Sequence, residues 1–517
     1  MPLAKLNCLT FVGIKPVPVT IEVHISSGLP SFAIVGLADT EIRESKERVR
    51  SALLNSGFEF PSQRITVNLA PADLPKGSAS FDLAIALGIA SASGQLNGAR
   101  LDPWLFAGEL SLSGQLVATR SPFALAVAAR RECLRQTGNL QLMMPLGDAK
   151  RVCSVPDISI FGAPTLFAAA SHLVGHGDPL LPMQPGTAAE SDPPHVPDMA
   201  DVVGHESAKH ALLVAAAGKH HIRLVGPPGS GKSMLAKRMA GLLPQHPFEQ
   251  ALELSAIKSL KNESHGISRQ RPFRNPHPST SMAALIGGGN PPSPGEITLA
   301  HQGVLFTDEV LEFDRRSLEA LREPLETGQV HVSRAGRQAS FPAQFLWVCA
   351  HNPCPCGWLG HPQKACYCTE QQIRKYQAKL SGPLSDRLDI SIEVNPVQPG
   401  QLLDKAQPGP TTRDLLKRVI QSRNRQFKRQ NCLNGEMATG LIQHHCKPEP
   451  EAEKLLLSYA HKNHLSSRAI HRICKVARTL ADLDEAETIK RQHIATALQF
   501  RKNLNLATSP SPSNWST

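Results

Sequence analysis

The chain has 517 residues, enough for two or three domains with separate cores, and its 55 Lys and Arg against 44 Asp and Glu leave a formal net charge of +11. That surplus favours an anionic partner, and no apolar run reaches the length of a membrane span. The opening MPLAKLNCLTFVG lacks the apolar h-region and cleavage site of a secretory signal, which points away from the secreted and membrane classes and predicts a cytoplasmic protein.

Residues 1–172 read as an α+β unit. Alternating or apolar runs at Val19–Ile25, Phe32–Val35 and Ile65–Leu69 predict strands, and helical periodicity appears at 39–56, with Asp39 as its N-cap, and at 82–93. No catalytic cluster stands out in this unit. The stretch 173–197 is proline-rich and has no apolar period, which predicts a semi-extended linker between domains.

An apolar run, Ile222 to Val225, then feeds Gly226-Pro227-Pro228-Gly229-Ser230-Gly231-Lys232-Ser233, with helical spacing beyond it. Glycines at these positions let backbone N–H groups converge on a β-phosphate, and the helix that follows adds positive potential. Lys232 is placed to neutralise the β- and γ-phosphates of ATP and Ser233 to hold Mg²⁺. A second apolar run, Gly303 to Thr307, ends in Asp308 and Glu309, predicting a strand whose first acid joins the Mg²⁺ shell and whose second orients the attacking water. Between these motifs, Arg271 to Glu296 is too rich in glycine and proline for a plain connection and predicts an inserted loop.

Farther on, Asp314 to Glu323 predicts a helix, and Gly328 to Pro342 a hairpin with Arg334 and Arg337 at its tip. Two guanidinium groups with no acid nearby suit phosphate contact with DNA, although a subunit interface or plain solvation also fits. The apolar strand Phe345 to Ala350 leads to Asn352, an amide able to bond the γ-phosphate or the lytic water. Of the eleven cysteines, seven are scattered and read as structural thiols, while Cys354, Cys356, Cys366 and Cys368 form two C-x-C pairs nine residues apart. Four thiolates so spaced suit a closed tetrahedral Zn²⁺ site, with His361 as another possible ligand and free thiols or a redox pair as the other readings. Residues 411–505 are helical throughout, and Arg413, Lys417, Arg418, Arg423, Arg425, Lys428 and Arg429 predict a basic helix face. The end, 507–517, is predicted to be disordered.

Several segments carry a resemblance: Ser27 to Pro30, Ile34 to Leu37, Glu44 to Leu53, Asn55 to Phe58, Asn68 to Pro75 and Phe106 to Ser111, with the phosphate loop, Asn352 to Gly357, Ser381 to Arg387 and Ser466 to Arg472. Together they resemble the ComM/YifB family of magnesium-chelatase-like AAA+ ATPases over residues 1 to about 505. The resemblance implies an α/β fold: a P-loop AAA+ core at 198–400 carrying the four-cysteine insert at 354–368, and a helical lid at 401–506. Before it would come an α+β domain like that of Lon protease, itself similar to domain 2 of ribosomal protein S5. It implies that Asp201 to His205 lies beside adenine, that 271–296 is the helix-2 insert facing a ring's pore, and that 328–342 is the pre-sensor-1 hairpin. It further implies Asn352 as sensor 1, Arg387 as an arginine finger serving the neighbouring subunit, and Arg468 as sensor 2 touching phosphates in cis. For Arg387 a plain salt bridge to Asp386 or Asp389 is the other reading.

By resemblance the activity is ATP hydrolysis by a ring, expected to be a homo-hexamer, coupled to DNA translocation, helicase or branch migration on single-stranded, double-stranded or branched DNA. The setting is recombination during natural transformation, alongside recombination proteins and away from membranes. An ATP-driven remodelling chaperone of the magnesium chelatase type is the alternative. A Lon-like peptidase is disfavoured, because Ser80 lies near the Lon serine while the segment matching the Lon lysine reads Ser121-Pro122-Phe123-Ala124, and a serine without its amine is a poor nucleophile.

Overall fold

The computed structural model describes residues 3–36, 40–71, 79–135, 140–184, 197–261, 263, 266–289, 292–334, 337–361, 363–397 and 409–502. The proposed N-cap Asp39, the middle of the proline-rich stretch, the boundary near 400, the segment from 503 onward and the side chains of Arg334 and Arg337 lie outside this description.

The N-terminal part is built on a seven-stranded sheet ordered Ser31–Val35, Arg64–Ala70, Lys15–Ser26, Leu3–Val12, Trp104–Phe106, Gln141–Pro145 and Ser159–Ala163. Strict alternation in Lys15–Ser26 buries Val19, Ile21, Val23 and Ile25 on one face, where the helix Asp82–Ala92 covers them. The other face, with Leu9, Leu105, Leu142 and Ile160, is covered by the helix Pro122–Arg135. Four of the seven strands were not anticipated from sequence. Those at Trp104, Gln141 and Ser159 are short and pair in parallel, so they show little of the alternation that marks a half-exposed strand. Leu252, from the helix Phe248–Ser259 of the next unit, completes the second cluster. Arg130 fastens that contact with a bidentate pair to Glu249, 2.8 Å on both arms, and a further bond of 2.9 Å to Asp157.

The central unit carries a parallel five-stranded sheet ordered Phe273–Arg274, Val304–Thr307, Leu346–His351, Ile222–Val225 and Ile390–Glu393. The strand feeding the phosphate loop therefore lies between two strands that come much later in the chain. Their carboxyl ends open on one crevice, the usual place for a ligand in an open α/β sheet. The loop 271–296 contributes more than an insertion: Phe273–Arg274 becomes the sheet's edge strand, and Met282–Ile286 a short helix. The segment expected as one helix from Asp314 to Glu323 is two, Arg315–Glu319 and Arg322–Thr327.

Helices Thr412–Gln430, Thr439–His445, Pro450–Lys462, Ser467–Leu483 and Arg491–Lys502 close the described chain and share one apolar cluster with the helix Glu206–Gly218 and the strand Ile222–Val225. The basic face expected on Thr412–Gln430 divides. Arg423 donates to the carbonyl of Ala216, Arg425 pairs with Glu485 and Arg429 with Asp482, whereas Arg413, Lys417, Arg418 and Lys428 are exposed. The Ala216 carbonyl for Arg423, the Asp482 carbonyl and exposed Glu485 for Arg425, and the buried Asp482 carboxylate for Arg429 offset part of the cost of desolvating these guanidinium groups. Among the described residues no helix is long and apolar enough to cross a membrane.

Candidate functional site

The loop Gly226–Ser233 leaves the strand Ile222–Val225 and enters the helix Lys232–Arg238. Gly231 has φ +88°, a left-handed turn that glycine adopts without a Cβ penalty. Lys232 is buried, and its ammonium donates to the carbonyls of Gly226 at 2.7 Å and Pro227 at 2.9 Å and to Oδ1 of Asn352 at 3.2 Å. Burial holds its pKa below the usual lysine value, against the opposing pull of Asp308 and Glu309. The Ser230 hydroxyl is buried in the same loop without a hydrogen-bond partner.

Val304–Thr307 delivers the acids. Oγ of Ser233 donates to Oδ2 of Asp308 at 2.5 Å, and the N–H of Glu309 donates to Oδ1 of the same aspartate at 3.0 Å. Glu309 itself is exposed with φ +47°, a conformation uncommon for a residue with a Cβ, so its carboxylate stands beyond the strand end. Behind the acids, the hydroxyl of Thr307 accepts the indole N–H of Trp347 at 3.0 Å, both side chains being fully buried. Asn352 follows the neighbouring strand Leu346–His351, whose last residue pairs with Val225. Lys232, Ser233, Asp308, Glu309 and Asn352 are thus brought to one crevice. Hydroxyl and carboxylate oxygens at one point are the donor set a hard divalent cation takes.

Arg387 and Arg468 lie elsewhere. Arg387 pairs with Glu326 of the helix Arg322–Thr327 and with neither Asp386 nor Asp389, and its Nε is buried without a partner. Burial, together with the nearby charges of Arg472, Arg468 and Arg322, holds its pKa below the usual arginine value. Arg468 is exposed in the first turn of Ser467–Leu483, near enough to Arg387 for its charge to help lower the Arg387 pKa. Asp389 is tied instead to Arg472 at 2.7 Å and to the backbone N–H of His221 at 3.2 Å. Burial pushes the Asp389 carboxyl up, but Arg472 and the two adjoining histidines more than offset it and hold it below the carboxylate range.

Arg334 and Arg337 face each other as the last pair of the ladder Gln329–Arg334 with Arg337–Pro342, which puts both at the hairpin's tip. Residues that the sequence did not bring forward are Glu326, Trp347, Arg472 and Arg130. For Arg472 a signal existed, since it lies one helical turn beyond Arg468.

The four cysteine sulfurs lie within 4.8 Å of one another. The separations are 3.4 Å between Cys354 and Cys356, and 3.6 Å from each of these to Cys366. Zinc–sulfur bonds of about 2.3 Å in a tetrahedron put sulfurs roughly 3.8 Å apart, so the cluster fits the ion. Backbone N–H groups of Cys356 and Leu359 donate to the sulfurs of Cys368 and Cys354, both at 3.4 Å, as suits thiolates. His361 is not among the four clustered ligands, and its Nδ1 accepts the N–H groups of Gln363 and Lys364.

Comparison with known proteins agrees along the whole chain. It is 42% identical over 504 residues to the protein YifB of Escherichia coli, covering 97% of both, and 41% identical over 513 residues to the competence protein ComM of Haemophilus influenzae, covering 98% of this chain and 99% of that one. The chain belongs to the ComM/YifB family of magnesium-chelatase-like AAA+ ATPases. Three family descriptions divide it: subunit ChlI of Mg-chelatase at 21–143, magnesium chelatase subunit ChlI at 198–402, and its C-terminal part at 409–501. The 67 kDa magnesium-chelatase subunit of Chlorobaculum tepidum shares 30% identity over 156 residues, 30% of this chain and 23% of that one.

Proposed function

We propose that this family member is a ring-forming ATPase, a homo-hexamer, that moves DNA during recombination in natural transformation. The observation that supports it most is the bond of Ser233 to Asp308, with Lys232 and Asn352 in the same crevice. When ATP enters, Lys232 exchanges the carbonyls of Gly226 and Pro227 for the β- and γ-phosphates. Ser233 and Asp308 would hold Mg²⁺, which would offset charge on those phosphates. Glu309 orients the attacking water, and Asn352 holds the γ-phosphate or that water.

Among the described residues, the crevice brings no arginine to the charge that develops on the far side of the γ-phosphate. Arg387, supplied by a neighbour, does so once it leaves Glu326, while Arg468 is assigned to the phosphates in cis. Hydrolysis at a seam between protomers makes turnover depend on assembly.

DNA as the partner rests on the net charge of +11, the hairpin tip at Arg334 and Arg337, and the competence protein ComM among the relatives. The other assignments belong to the same proposal: a Lon-like domain at 1–172, a linker at 173–197, a core at 198–400 with a structural zinc on its four cysteines, a lid at 401–506, and a cytoplasmic location. A second reading, ATP-driven remodelling of a protein complex, draws on the magnesium-chelatase subunits that match this chain.

ATP turnover by the purified full chain, with and without forked or four-way DNA at two salt concentrations, separates the two. DNA stimulation that falls steeply with salt is expected. Turnover indifferent to DNA favours remodelling, and absence of any turnover sinks both.

A further inference from the structure

The cysteine cluster begins two residues after Asn352 and touches the phosphate loop. Gly357 sits at φ +83°, and a Cβ added there would lie 2.6 Å from Cδ and 2.8 Å from Cγ of Pro228, and 3.8 Å from Cγ of Asn352. The chain between Cys354 and Cys368 thus presses its backbone on the loop that cradles phosphate and beside the amide that faces Lys232. Its own contacts are local: the Trp358 and His361 rings meet edge-on at 5.2 Å, Lys364 lies 4.0 Å from the Trp358 ring centre, and His361 Nδ1 accepts the N–H groups of Gln363 and Lys364. Among its described residues it forms no helix or strand, Leu359 is exposed, and Tyr367 is 79% exposed. The carbonyl of Pro353 is anchored by Nε2 of Gln377 at 2.9 Å, but the tip carrying Gly357 is fixed by the Cys354 turn, where the N–H of Gly357 donates to the Cys354 carbonyl at 3.0 Å. A loop of this length without regular structure or a core takes its shape from the metal it binds.

We propose that the four-thiolate centre is a positioning element of the nucleotide site, in which zinc bound by Cys354, Cys356, Cys366 and Cys368 seats Gly357 on Pro228 and steadies Asn352. The inference rests on the ATPase and zinc readings above. Loss of the metal leaves ATP binding in place, since Lys232 and the loop amides remain, and slows hydrolysis, which needs Asn352 and the phosphates in register. Cys354, Cys356, Cys366, Cys368 and Gly357 act through Asn352 and Pro228 and touch no reacting atom.

The test uses the full chain as the native protein, Cys366→Ser/Cys368→Ser, Gly357→Ala and Tyr367→Ala, reading zinc per chain, Kd for a fluorescent ATP analogue, kcat and melting temperature. The native protein is expected to carry one zinc. The double cysteine variant should lose it and drop in kcat by about 100-fold, the scale of an ångström-level misplacement, with Kd changed by less than about threefold. Gly357→Ala should keep the zinc and lose kcat, with a lower melting temperature because a Cβ at φ +83° is strained and meets Pro228. Tyr367→Ala should match the native protein. A zinc-free double variant with native kcat overturns the coupling alone, as does Gly357→Ala with native kcat; should the cysteine variant fail to fold, Gly357→Ala decides. Native protein purified without zinc overturns the metal reading and the coupling with it, while a zinc-loaded native protein that never hydrolyses ATP overturns the ATPase reading.

Discussion

Ser233 and Asp308 are 75 positions apart in the chain, and the hydroxyl of one donates to the carboxylate of the other at 2.5 Å. Two strand ends must meet for this to happen, and the pair marks where a metal–triphosphate would sit. Glu309, next along, is free to act on water. Glu309→Gln is expected to retain nucleotide binding and lose at least about 100-fold in turnover, whereas Lys232→Ala should lose binding or turnover outright. Filter binding of labelled ATP beside release of labelled phosphate checks both, and a Glu309→Gln protein turning over at the native rate would remove that residue from the mechanism.

Arg387 is held in its own chain by Glu326. Arg387→Ala should abolish turnover while ATP still binds, and mixing it with Lys232→Ala protein should restore part of the activity if the two sites complete each other across subunits. Glu326 is half exposed, so the pair is worth at most about 1 kcal/mol. Glu326→Ala is therefore expected to raise turnover by no more than about fivefold at limiting protein concentration, and a loss of activity would show that Glu326 has a different part.

The Trp347 indole N–H donates to the Thr307 hydroxyl at 3.0 Å, and both side chains are fully buried. Trp347→Phe leaves that hydroxyl without its donor and opens space beside the strand that carries Asp308. A loss of about 1–3 kcal/mol is expected from the unsatisfied group, read as a lower urea midpoint, together with reduced kcat. Unchanged stability would mean the hydroxyl finds another partner.

Arg334→Ala/Arg337→Ala should weaken DNA binding across sequences and make its salt dependence shallower by about two phosphate contacts, while basal hydrolysis holds. Fluorescence anisotropy at several salt concentrations measures this. If affinity is untouched, the hairpin tip serves an interface or is simply solvated.

His246, His301 and His351 are buried, and burial first, then neighbouring cations, lowers their pKa values to about 4, about 3 and about 3. Each stays neutral in the folded chain but takes up a proton near pH 6.5 when unfolded, so the stability they lend is present above 6.5 and is lost as pH falls toward 4. At pH 5.5 the three together amount to about 4 kcal/mol. Asp82 runs the other way: burial raises its carboxyl to about 6 despite Arg48, which offsets a small part of that loss. A melting temperature several degrees lower at pH 5.5 than at 7.5 is expected, and a flat profile would contradict the neutral burial of these rings.

The local chemistry of the site was legible in the chain alone. The phosphate loop, the paired acids after an apolar strand, the amide of Asn352 and the two C-x-C pairs are short-range patterns, because each depends on a turn or strand end that a few neighbouring residues specify. Their convergence, and everything governed by contacts between distant residues, was decided by the tertiary structure. It joined Ser233 to Asp308, placed Arg387 on Glu326 and near Arg468, turned Arg423, Arg425 and Arg429 inward, made Phe273–Arg274 an edge strand, and set Gly357 against Pro228. The physical reason is that ion pairs, hydrogen bonds to buried groups and parallel strand pairing take their energy from partners far along the chain, and a local pattern carries no record of which partner the fold brings near.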